Sequence, residues 1–227
     1  MVVALAVEAQ ALTGARIKPR EITEAAGLRV LLCGIGPEAA RAAALELVKA
    51  GVDALAVYGV AGGLDPALMR GELICPSIIL DDHGERYAAD PRWCSRYSGI
   101  ARDGALLTVS QVLFGPPDKN QAFQRSGAIA VDMESAAVAA VARESGLPLL
   151  VLRAISDTAG ESIPAGMAGA INRYGEPRAR RLAATLLRNP GLIAQLPRLA
   201  RGRDEALASL KRAVQHAGPG LGYVSQG

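Results

Sequence analysis

Two carboxylic acids in one short stretch, Glu134 and Asp157, are placed where chemistry could be done. Residues 128–157 read AIAVDMESAAVAAVARESGLPLLVLRAISD. A β-type run over 128–131 ends in Asp132-Met133-Glu134, and the alanine-rich stretch 135–144 has helical composition, stopped by Gly146 and Pro148. The apolar run 149–155 is long enough for a buried strand and delivers Ser156-Asp157 where the chain leaves it. The unit is β-α-β, so both acids fall at strand ends, where open α/β sheets keep their ligands. Either acid alone also reads as a helix-start residue or a loop cap. The ordered pair, with Met133 beside Glu134, points instead to a site. A third acid, Glu8, follows the first apolar run, 2–7.

The elements that would position these acids alternate along the chain. Strands are expected over 2–7, 29–35, 53–60, 72–80, 105–109, 128–131 and 149–155, and helices over 36–50, 119–125 and 135–144. The glycines of 59–63 read as a loop opening from the third strand. Residues 81–104 hold charges, Tyr87, Trp93 and Tyr97 without clean periodicity; they read as a long loop bordering the site or a subunit contact. A helical stretch over 166–188 is interrupted near Gly175-Glu176-Pro177. Two more helices, 192–200 and 204–217, are separated by Gly202 and ended by Gly218-Pro219-Gly220. No repeat or linker divides the 227 residues, so one α/β domain is expected. Its body is 1–189, and 190–227 is a basic helical extension of the same domain.

Composition removes several classes. Hydrophobic residues make up 50% of the chain and aromatics only 4%, which suits small-residue helices packed on a sheet. No uncharged apolar run is long enough to span a bilayer. The apolar N-terminus lacks a basic lead and reaches Glu8 at once, as a first strand does and a signal peptide does not. Cys33, Cys75 and Cys94 are widely spaced, without a CxxC, and read as reduced thiols of a cytoplasmic protein. Neither His83 nor His216 completes a familiar zinc spacing with them, so no metal is expected.

The net charge of +3 is uneven: from Arg178 onward nine basic residues face two acidic ones. The tail suits an anionic surface or partner, or a solvated helix face. It has no aromatic platform for nucleic acid, since Tyr223 stands alone. Leu192, Ile193, Leu196 and Leu199, then Leu207, Leu210 and Val214, follow helical spacing. These faces either dock on the domain or hold it peripherally at the inner face of a membrane. Gly34, Gly36 and Ala39 match GxGxxA, but Asp53 precedes its strand, whereas a dinucleotide-binding acid ends one. A tight strand-helix turn explains these glycines.

Glu8, GIG at 34–36, GVAGGL at 59–64, VDMES at 131–135 and RAISD at 153–157 occur in this order. Together they resemble the purine nucleoside phosphorylase and methylthioadenosine/adenosylhomocysteine nucleosidase superfamily, over about 2–187. The resemblance implies a single-domain mixed central β-sheet flanked by α-helices, a helical C-terminal tail, and cleavage of a nucleoside N-glycosidic bond. Such cleavage leaves positive charge on the sugar ring and needs a proton on the departing base. By resemblance Asp157 is the acid serving the base, with Ser156 orienting it. Glu134 accepts hydrogen bonds from the ribose hydroxyls, and Met133 lies against the sugar or fills core. Gly62 and Gly63 let the backbone approach sugar and nucleophile. Phe114 packs on the base or in the core.

The nucleophile is open between water, activated by Glu8, and phosphate as a co-substrate. Val57 and Val60 stand where the family often has a phosphate-binding arginine and a serine. Arg16, with Lys18, is the candidate phosphate ligand, set against simple surface solvation. The sequence from 189 to 222 resembles the hopanoid-associated phosphorylases, implying adenosylhopane as a lipid-linked substrate. The alternatives are methylthioadenosine or adenosylhomocysteine cleavage, purine nucleoside phosphorolysis, and a non-catalytic nucleoside sensor. No cofactor is implied. A homo-oligomer is expected.

Overall fold

Buried runs of valine, leucine and isoleucine build a sheet, and alanine lets helices lie close on both its faces. In the computed structural model, which describes residues 1–25 and 27–224, the chain opens with β1 (Val2–Val3), α1 (Ala6–Thr13), β2 (Ile22–Ala25), β3 (Leu28–Leu32), α2 (Pro37–Lys49) and β4 (Leu55–Gly63). There follow β5 (Leu73–Ile74), β6 (Ile78–Leu80), β7 (Arg86–Ala88), α3 (Pro91–Cys94), β8 (Ala105–Thr108) and α4 (Pro116–Ser126). The last part holds β9 (Ala130–Asp132), α5 (Ser135–Glu144), β10 (Leu149–Asp157), α6 (Ala165–Ala168), α7 (Ala179–Arg188) and α8 (Leu196–Ala217). The strands form one mixed sheet in the order β2-β3-β1-β4-β9-β8-β6-β7, with β10 pairing β4 and β5 off this path. β10 runs parallel to β4, and β9 meets the end of β4 antiparallel.

Alternation along the strands divides the core. Val57 and Val151 face α2 and α5, whose Ala40, Ala43, Ala44, Ala136 and Ala139 are buried with them. Ala56, Tyr58, Leu150 and Leu152 face the other way, under Ala9 and Leu12 of α1 and Ala206, Leu210 and Ala213 of α8. The central strands are therefore buried on both faces, and their sequence reads as continuous apolar runs.

Several expected elements differ. The first strand stops at Val3, and residues 6–13 are helical; alanine, glutamine and leucine favour a helix there. The glycines of 59–63 belong to β4 rather than to a loop. The run 72–80 splits into β5 and β6 at Pro76, which has no N–H for a ladder. The stretch 166–188 is helical only in α6 and α7.

The tail is one 22-residue helix, α8, after a 3-10 turn at Pro190–Gln195. Pro197 sits in its first turn, where a missing N–H costs nothing. Gly202 does not separate two helices: a Cβ there would strike the Ser156 carbonyl, so glycine lets α8 lie against β10. Leu210 is buried and Leu207 and Val214 are partly buried against the sheet, so this apolar face docks on the domain. Residues 225–227 of the expected extension lie outside the described part. The irregular stretch 81–104 holds this end of the chain instead of bordering the site. Trp93 Nε1 donates to Leu221 O at 2.8 Å, and Tyr223 packs on Trp93 with ring centroids 4.8 Å apart. Among the described residues, no helix is long and apolar enough to cross a membrane.

Candidate active site

The carboxyl ends of β4, β9 and β10 open into a cavity of about 330 Å³. Its charged wall residues are Glu8, Lys119, Asp132, Glu134 and Asp157, and the remainder is apolar, with Leu5, Ile35, Leu113, Phe114, Met133, Ile163 and Ile171 among the contributors. No residue of 81–104 reaches it.

At one end the carboxylates converge on a single arginine. Glu8 lies in the first turn of α1, not at a strand end, and is 1% exposed. It accepts from the Leu5 amide at 2.9 Å and, across the sheet, from the Val60 amide at 2.8 Å. Gly59 makes room for it, since a Cβ there would meet the Glu8 carboxylate and the Arg153 guanidinium. Burial pushes the Glu8 carboxyl up to about 7, against the opposing pull of Arg153 and the two amides, while Glu134 pushes the same way as burial. Glu134 is also raised by burial, with Arg153 opposing and Asp132 adding to the rise. Its Oε1 accepts from the Gly36 amide at 2.9 Å, at the N-terminus of α2. The glycine turn that mimics a dinucleotide fingerprint thus holds this acid.

Arg153 is 1% exposed on β10 and pairs with Asp132 and with Glu134, the latter at 3.2 Å. Burial works against its charge, but Asp132, Glu134 and Glu8 outweigh it and raise the guanidinium further. Asp132 is occupied by Thr108 at 2.7 Å, by Ser135 and by Arg153, which makes it an anchor for the cluster.

At the other end stands Asp157. The pairing of β10 with β4 slips between Ile155 and Asp157, and this irregularity turns the Asp157 side chain into the cavity beside Gly62. A Cβ on Gly62 would approach Asp157 Oδ2 to 3.3 Å. Ser156 Oγ donates to Asp157 Oδ1 at 2.7 Å, and Lys119 of α4 pairs with Oδ2. The Glu8 and Asp157 anchors, Val60 and Gly62, are two residues apart on β4, roughly 7 Å of strand.

The structure thus brings Glu8, Glu134, Met133, Phe114, Gly62 and Asp157 to one cavity, with Ser156 behind Asp157. Gly63 does not line it: a Cβ there would meet the Asp157 carbonyl and Ile155, so this glycine serves the packing of β4 on β10. Arg16 is exposed in the loop after α1 and does not reach the cavity, nor does Lys18, which lies 3.5 Å from Glu21. Sequence reasoning assigned no role to Arg153, Asp132 or Lys119. A charged residue inside the apolar run of β10 was the available signal for Arg153, because a buried charge demands partners. Nothing in the sequence marks Lys119, since lysine is ordinary on a helix.

The phosphorylase superfamily pattern matches residues 21–189. The 5'-methylthioadenosine/S-adenosylhomocysteine nucleosidase of Mycobacterium tuberculosis is 28% identical over 186 residues, covering 62% of this chain and 71% of that protein. The crystal structure of the enzyme of that name from Neisseria meningitidis, in complex with methylthio-immucillin-A, has a TM-score of 0.68 and covers 95% of both chains at 17% identity. Futalosine hydrolase of Helicobacter pylori has a TM-score of 0.63, covering 82% of this chain and 95% of that one at 20% identity. At these identities the two structures show a shared fold. The family match, which takes in every strand of the sheet except β1 and carries both Glu134 and Asp157, settles the affiliation: the chain belongs to the phosphorylase superfamily.

Proposed function

We propose that this protein hydrolyses the N-glycosidic bond of an adenine nucleoside. The C1′–N bond breaks with its electron pair passing to the purine, which takes a proton from Asp157. A water adds its oxygen to C1′ and gives a proton to Glu8, so the products are free base and free sugar. Glu134 accepts from the ribose hydroxyls, Met133 lies along the sugar, and Phe114 packs on the base.

The observation that carries the hydrolytic reading is the charge of the wall. Glu8 is a buried carboxylate near 7, matched to work as a base at neutral pH. A phosphate dianion would have to enter beside it, Asp132 and Glu134. Among the described residues the one basic group lining the cavity, Lys119, already donates to Asp157 Oδ2, to Thr158 O at 2.8 Å and to Glu161 O at 3.1 Å. An ammonium has three hydrogens, so none is left for phosphate.

The 5′ group of the substrate is apolar in this reading. Leu5, Ile35, Ile163 and Ile171 offer it no polar partner, which suits adenosylhopane and a place in hopanoid synthesis; methylthioadenosine, with its small thioether, is the second substrate the same wall favours. The exposed Leu187 and Ile193, amid Arg180, Arg181 and Arg188, are the residues by which the chain would rest on an anionic bilayer to meet a lipid-linked nucleoside. Incubation with methylthioadenosine, adenosylhomocysteine and adenosylhopane, followed by measurement of free adenine, tests the proposal. Release from at least one is expected; tight binding of all without release would make the protein a nucleoside sensor.

A further inference from the structure

Lys119 is 1% exposed, and a lysine is almost never so buried unless its charge is matched. It projects from the first turn of α4 to the end of β10, where its three donors meet the Asp157 carboxylate and the carbonyls of Thr158 and Glu161. Those carbonyls are themselves braced. The Glu161 side chain accepts from the Thr158 amide at 3.0 Å, and it pairs with Arg70 and with Arg198 of α8, the latter at 3.2 Å. Arg70 approaches Glu161 through two nitrogens, a forked geometry that fixes direction as well as distance. The turn after β10 is therefore a rigid cradle for one ammonium, and that ammonium touches one carboxylate oxygen. The second oxygen of Asp157 accepts from Ser156 at 2.7 Å.

We propose that Lys119 is the positioning residue for Asp157, fixing the orientation of its carboxyl group at the base end of the cavity and stabilising the negative charge that Asp157 gains as its proton moves to the purine. This rests on the nucleosidase reading above. The physical reason is that a fixed positive group aimed where charge develops lowers the barrier without reorganisation during the reaction. Lys119 acts through Asp157, because it has no hydrogen left to donate to a substrate.

The role separates from mere packing by the leaving group. Departing adenine needs a proton; 4-nitrophenolate does not. Purified full-length protein and the variant Lys119→Met, of similar length but uncharged, are compared on methylthioadenosine and on 4-nitrophenyl β-D-ribofuranoside, with Asp157→Asn and the double variant alongside. On the adenine nucleoside, K119M should lose kcat by about 30-fold, less than the roughly hundredfold or more that a positioned acid itself contributes, with little change in KM. On the nitrophenyl riboside it should stay within about threefold of the parent. The double variant should be no worse than D157N alone, because the two residues act as one unit. Lys119→Arg, which keeps the charge, should recover part of the loss. Should K119M prove unfolded by thermal melting, the double variant, free of the unpaired buried carboxylate, and K119R carry the comparison. Equal losses on both substrates, or full additivity with D157N, would reduce Lys119 to a structural ion pair and overturn the proposal. A parent protein that cleaves the nitrophenyl riboside but no adenine nucleoside would overturn it as well. A parent that cleaves neither would sink the nucleosidase reading itself.

Discussion

The two ends of the cavity use the same residue type in opposite surroundings. At the Glu8 end, three carboxylates share one arginine, so negative charge is in surplus and burial holds the Glu8 proton up to about 7. At the Asp157 end, one carboxylate meets one ammonium and one hydroxyl, and charge is balanced. A raised carboxyl such as Glu8 is matched to take a proton from water at neutral pH, and the ammonium beside Asp157 offsets the charge left there once a proton has passed to the base. Where neighbouring environments set two acids apart in this way, their roles separate too. In the proposed reaction Glu8 serves the nucleophile and Asp157 the leaving group.

Breaking the balanced end should have the largest effect. Asp157→Asn keeps the shape but has no proton to give, so adenine release should fall roughly a thousandfold, in the middle of the range for positioned acids. A loss under about tenfold, by steady-state assay, would remove Asp157 from the acid role.

Breaking the surplus end comes next. Glu8→Gln should slow hydrolysis roughly a hundredfold, and unlike D157N it should do so on an activated leaving group as well. The base must be ionised, so kcat/KM of the parent should decline as pH falls below about 7, a limb that E8Q lacks. The same shift sets a stability trend. Because the folded pKa of Glu8 lies above the unfolded value of about 4.5, its favourable contribution is complete below 4.5 and is lost as pH rises through about 7. E8Q should therefore gain on the parent above pH 7, by on the order of 3 kcal/mol at most. Denaturant melts at pH 4.5 and pH 8 check it, and a gap of the same size at both would contradict the assignment.

Glu134→Gln is the mildest change, because it turns a charged acceptor of hydroxyls into a neutral one. About a tenfold loss in kcat/KM is expected. That loss should shrink on a 2′-deoxynucleoside, which has already given up one partner; equal losses on both sugars would deny Glu134 its place on the ribose.

The parts of this contrast that were legible in the sequence are local. The strand-helix-strand order from 128 to 157 reads directly, although β9 and β10 are not neighbours and pair with β4 in opposite senses, and α5 matches its expected span, because alanine composition and the Gly146-Pro148 stop act within a few residues. Glu134 and Asp157 follow from it. What was hidden depends on distant partners. The Val60 amide that holds Glu8 is fifty-two residues away, and the Gly36 amide that holds Glu134 is ninety-eight away. Gly202 reads as a helix break because its reason, the Ser156 carbonyl, lies on another element. Residues 6–13 follow a run of valine and leucine that reads equally as strand, and the Leu5 amide bonded to Glu8 marks the helix start only once the chain is folded. Lys119 left no trace for the same reason: its three acceptors all belong to 157–161, across the cavity from α4.

The measurement that tests the central claim most directly is the identity of the sugar product. The protein is given an adenine nucleoside that it cleaves, first in phosphate-free buffer and then with phosphate added. Free sugar, formed at the same rate in both, is the predicted result. A strict need for phosphate, with sugar 1-phosphate as the product, would contradict the account.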